Sequence, residues 1–197
     1  LPSLTQTRKV WESAAKALAQ AGRYVISLDL RGHGGSDSPK DCNYSLEAFT
    51  GDLVAVLSQL ESRPVLVGSN FGGWIGLAAI GNTSAPIATG LVLSNLPPEF
   101  QSLNNESIAK TVSERASSDD FEQNLFAGGF DFIELQNKLE PAAKNLKLPT
   151  LLVRGIDSQI SSSSATQRFA DLIPQAEVSE IEGAGHYVAF DKSDEFS

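Results

Sequence analysis

Short runs rich in β-branched residues alternate along this chain with longer stretches of helical period. That alternation leaves few folds open. "YVISLDL" (24–30), "PVLVG" (64–68), "TGLVLSN" (89–95), "PTLLVRG" (149–155) and "AEVSEI" (176–181) read as strands. Between them, "VWESAAKALAQAG" (10–22), "SLEAFTGDLVAVLSQL" (45–60), a stretch from Phe71 to about Ile80, and "SATQRFADLI" (164–173) read as helices. Ser45 is a good N-cap, and Gly22 a natural C-terminal stop. Apolar strands separated by amphipathic helices predict an α/β protein, with a mostly parallel sheet covered on both faces.

In such sheets, functional residues gather in the loops beyond the carboxyl ends of the strands. Three unusual loops fall there: "DLRGHGGSD" (29–37), "GSNFGG" (68–73) and "GAGHYVAFD" (183–191). The stretch 96–146 differs, being polar, with "SERASSDDFEQN" in its middle and no strand. It reads as a helical lid or cap inserted into a core made of 1–95 and 147–197.

Charge and cysteine content narrow the function classes. A net charge of −9 argues against nucleic acid or an anionic membrane as the main partner, and is otherwise read as serving solubility. No apolar run is long enough to span a bilayer, and no signal peptide is visible. Cys42 is the only cysteine, so no internal disulfide forms and a reducing cytoplasm is the expected compartment. With only His33 and His186, no metal site is expected, and the reading calls for no cofactor. Oligomeric state is not legible. The chain has no methionine and starts at Leu1, which points to parts of the natural protein lying outside this sequence.

The turn at 68–73 carries the chemistry. A strand-to-helix turn that presents a strained residue needs small neighbours, and Gly68, Gly72 and Gly73 supply the room. N–H groups at the helix start, beginning with Phe71, can face a developing oxyanion. His186, between Gly185 and Tyr187 after the last strand, is suited to general-base work near neutral pH. His33 reads as structural, with Asp29 and Arg31 expected to pair and pin its loop.

Taken in order, "LDLRGHGGSD", "VLVGSNFGG", "PTLLVRGIDS" and "EGAGHYVAFDKSDEF" resemble the α/β-hydrolase fold family. They are most similar to its branch of esterases, epoxide hydrolases, haloalkane dehalogenases and C–C hydrolases. The resemblance covers most of the chain outside 96–146. It implies a hydrolase of a small apolar ester or related substrate, with His186 as base. It puts Asn70 at the nucleophile position and Phe71 N–H in the oxyanion hole. The second oxyanion donor follows an early His-Gly pair in the family. That pair is absent here, and Leu1-Pro2 resembles what comes after it, so Leu1 takes that place and the first strands are expected ahead of it.

The departures fall on the reacting residues. An amide at position 70 does not ionise and is a poor nucleophile. Ser69 cannot simply substitute, because one step along a strand turns the side chain to the other face. Asp157, two residues after Gly155, is the best candidate acid, although the family often carries its acid one or two places later, at what are here Ser158 and Gln159. The family's alternative acid site lies near Asn95, also an amide. Three readings stay open: a non-hydrolytic small-ligand-binding relative, a substrate-trapping replacement at position 70, or an enzyme that works without a covalent step. A nucleotide-binding doubly wound domain is more remote, since "GSNFGG" is not G-x-G-x-x-G and no lysine follows it.

Overall fold

A computed structural model describes residues 1–4, 6–95, 132–159 and 161–197. Its sheet holds four parallel strands, β1 (Val65–Ser69), β2 (Gly90–Ser94), β3 (Thr150–Gly155) and β4 (Ala176–Ile181), in the order β1-β2-β3-β4. Leu66 pairs with Leu91, Leu93 with Leu152, and Leu152 with Val178. All four carboxyl ends therefore open on one edge of the sheet, as the sequence predicts.

The helices follow from local chemistry. A 3₁₀ turn, Arg8–Trp11, leads into α1 (Glu12–Gln20), and Gly22 ends it at φ +83°, where a residue with a Cβ would be strained. Ser45 caps α2 (Leu46–Leu57), its hydroxyl accepting from the Ala48 N–H at 3.2 Å. Helix α3 (Phe71–Gly81) is apolar on all sides and is buried from Phe71 to Ala79, so it forms the centre of the molecule. Further along come α4 (Phe132–Asn145), α5 (Ser163–Ala170), α6 (Val188–Asp191) and α7 (Ser193–Phe196).

The main core joins Phe49 and Leu53 of α2, Phe71, Trp74, Ile75 and Leu77 of α3, and Leu91, Leu93 and Leu152 of the sheet. Leu135, Leu139, Ala142 and Ala143 of α4 belong to the same core. The C-terminal part of the stretch 96–146 is thus a helix that packs on this core. Polarity averaged over a window hides an amphipathic helix whose apolar stripe faces inward. The rest of the expected insertion, 96–131, lies outside the described residues.

Two expectations are corrected. The run 24–30 pairs with no described strand, and Tyr24 is 92% and Ile26 43% exposed. β-propensity describes a side chain that suits a pleated surface, but the strand needs a neighbouring backbone. Asp29 and Arg31 do not pair with each other. Asp29 accepts from Arg8, at 2.6 Å from its N–H and 2.9 Å from its guanidinium, and from the Gly35 N–H at 3.0 Å. Arg31 forks onto both carboxylate oxygens of Asp52 at 2.6 Å, a bidentate fit that raises its pKa further. A cavity of about 570 Å³ opens beside these groups, lined by Leu1, Asp29, Arg31, Phe49, Asp52 and Ile75 among others.

Candidate active site

Asn70 sits between the last residue of β1 and the first of α3, at φ 48° and ψ −114°. Few non-glycine residues adopt such a backbone, and the neighbours hold it there. The Asn70 N–H donates to Ser94 O at 3.0 Å, and the Asn70 carbonyl accepts the first helical bond, from Trp74 N–H at 3.1 Å. A Cβ on Gly68 would strike the backbone of Gly73, and one on Gly72 would strike the carbonyls of Leu1 and Pro2. The glycines bracketing the turn are therefore demanded by packing. Below it, the Phe71 ring packs edge-on to Phe49, centroids 5.2 Å apart, and against Trp74 at 5.9 Å. Burying such a ring contributes roughly 1.5–3 kcal/mol, which fixes the start of α3.

His186 reaches the same place from the loop after β4. Its Nε2 lies 3.4 Å from Asn70 Nδ2. The amide donates in this arrangement, so Nε2 accepts and the ring proton is on Nδ1. The Tyr187 ring stands across the imidazole, centroids 5.2 Å apart and planes at 63°. The loop is held by Asp191, whose carboxylate accepts from the Gly185 N–H at 2.8 Å, and by Asn95, whose amide donates to Gly185 O at 2.9 Å and His186 O at 2.7 Å.

The other candidates divide. Phe71 is at the first helical position, where the N–H points out of the helix N-terminus toward the turn. Leu1 lies along β1: its N–H donates to Val67 O at 2.7 Å and its carbonyl accepts from Ser69 N–H at 3.1 Å. That places Leu1 beside the turn but directs the bond at the strand. Asp157 is exposed, and its backbone N–H, not its carboxylate, meets the histidine loop, donating to Ala184 O at 3.0 Å. The Asp157 carboxylate makes no hydrogen bond or ion pair with a described residue. Ser69 is buried and lies one step before the presented position.

His33 is buried within its own loop, with Nδ1 donating to Arg31 O at 2.9 Å. Burial pushes its pKa down, against smaller upward pulls from the Arg31 carbonyl and Asp29. Asn95 is what sequence reasoning passed over. It was weighed only as an amide where an acid might stand. A hint lay in its residue type, since asparagine tolerates the left-handed region that Asn95 occupies at φ 44°.

A parallel α/β sheet that presents a strained residue at a strand-to-helix turn, facing a histidine from the final loop, defines the class of α/β-hydrolase-type proteins. The chain matches the alpha/beta hydrolase fold family over residues 1–125, and it belongs to that family. A non-heme chloroperoxidase of Kitasatospora aureofaciens is 27% identical, across 91% of this chain and 80% of that protein. An sn-1-specific diacylglycerol lipase of Mus musculus is 26% identical, across 100% of this chain and 76% of its own. The solved structure of an N-acyl homoserine lactone degrading enzyme superposes with a TM-score of 0.80 at 24% identity, covering 100% of this chain and 88% of that one. This last likeness establishes the fold.

Proposed function

We propose that this protein is a hydrolase of a small, mostly apolar ester or related substrate, acting in the cytoplasm without a cofactor. The observation that carries the reading is the 3.4 Å approach of His186 Nε2 to the side chain presented by the turn at Asn70. A diacylglycerol lipase among the relatives supports the ester class. His186 is the general base. Asn70 holds the nucleophile position but supplies no nucleophile, so the attacking group is water. His186 Nε2 takes a proton from that water as its oxygen bonds to the carbonyl carbon. The carbonyl oxygen gathers negative charge against the Phe71 N–H; the Leu1 N–H expected as second donor is spent on Val67 O and takes no part. Collapse breaks the bond to the alkoxide, and His186 returns the proton to it, giving acid and alcohol. Asp157 is the carboxylate assigned to orient His186. Its loop is tied to the histidine loop through Ala184, and the role asks its side chain to turn inward from solvent.

The test is turnover of short-chain p-nitrophenyl esters by three proteins. His186→Ala should lose activity by about 10²–10⁴-fold, the usual contribution of a positioned base. Asn70→Ser should raise it, because a hydroxyl then stands where His186 can activate it. Activity that survives His186→Ala removes His186 from the mechanism. An absence of turnover in all three proteins, together with saturable binding of an apolar ligand, would make this a silent binding relative instead.

A further inference from the structure

We propose that Asn95 is a positioning residue for His186, acting through the backbone of the histidine loop. Asn95 is 0% exposed, so solvent does not serve its amide. Both Nδ2 protons are used, one toward Gly185 O at 2.9 Å and one toward His186 O at 2.7 Å. Its Oδ1 accepts from the Gly155 N–H at 3.0 Å, and its own N–H donates to Val153 O at 2.8 Å. One side chain therefore joins the end of β2 to the end of β3 and to the two peptide groups that carry the imidazole.

The residue before it supplies the other half of the device. Ser94 O accepts the Asn70 N–H at 3.0 Å. Two consecutive residues at the end of β2 thus set both sides of the site: Ser94 fixes the backbone of the presented residue, and Asn95 fixes that of the base. The distance between Asn70 and His186 is built through this dipeptide. The requirement on position 95 is narrow. Aspartate has no donors for the two carbonyls, and glutamine is one methylene too long. Among residues with a side chain, asparagine is one of the few that accept φ 44°.

This proposal rests on His186 being the base, and its test is arranged so that the two can fail separately. The chain has only two histidines, so imidazole NMR resolves both, and His33 is an internal control. Asn95→Gly keeps the backbone conformation accessible while removing the clamp. The expected result is a displaced or doubled His186 ring signal and an altered His186 titration, with His33 unchanged. In the Asn70→Ser background, kcat for a short ester should fall about tenfold or more, with KM within about twofold, since the base is misplaced and the binding surface is kept. His186 signals identical to wild type in a folded Asn95→Gly protein would overturn the proposal. So would rapid solvent exchange of the Asn95 side-chain amide protons in the wild-type protein, a measurement that needs no variant. The NMR results decide the matter even if no ester is turned over, in which case only the hydrolase reading fails.

Discussion

At the scale of single residues, the site is built on conformations that cost free energy. Asn70 is held at φ 48° and ψ −114° by bonds on both sides of it. Backbones of this kind cost on the order of 1–3 kcal/mol for a residue with a Cβ. Asn70→Gly should therefore stabilise the fold by about 1 kcal/mol in urea unfolding, while removing the side chain that faces His186. Part of that gain is offset because glycine loosens the unfolded chain. A destabilised Asn70→Gly protein would mean that the Asn70 side chain contributes more to the fold than its backbone costs. The sequence made the turn legible through Gly68, Gly72 and His186, because small residues and a lone loop histidine mark themselves by type. It could not show Asn95 as a clamp. Hydrogen bonds spanning 90 and 91 residues depend on how strands are ordered in the sheet, which no local pattern encodes.

At the scale of elements, the close approach of loops to strand ends decides which glycines matter. A Cβ on Gly155, at the end of β3, would strike the carbonyls of Ala184 and Gly185, which are backbone and cannot rotate away. Gly155→Ala should cost about 1–3 kcal/mol and push the histidine loop off its seat. Gly51, inside α2, has nothing within 4 Å of its Cβ position. Gly51→Ala should instead stabilise by about 0.4–1 kcal/mol, through helix propensity and a less free unfolded chain. Urea midpoints of the pair check both signs; a neutral Gly155→Ala would show that the loop yields. Both residues are glycines in the sequence and look alike there. Elements with their own signals, such as α2 with its Ser45 cap, were legible. The run 24–30 was misread, because strand pairing is a tertiary fact.

At the scale of the whole molecule, buried His33 ties stability to pH. It is 1% exposed and beside Asp29, yet desolvation dominates and its folded pKa lies below the ordinary 6.5. The unfolded chain therefore binds a proton that the folded chain refuses. Between the two pKa values the unfolded state holds more protons, so stability rises with pH there. The contribution is complete above about 6.5, declines as pH falls below it, and is lost once pH passes under the folded value. Other groups titrate over the same range, so the measurement is a difference between proteins. His33→Asn keeps a donor near the position of Nδ1, which bonds Arg31 O, and removes the titrating ring. Its melting temperature should be lower than wild type at pH 7.5 because of the lost ring volume. The gap should then narrow as pH is brought to 5, because only the wild type must protonate or exclude a proton at this site. A gap that stays constant from pH 7.5 to 5 would mean that His33 titrates alike in both states, and that its burial is relieved on a scale the folded geometry does not show.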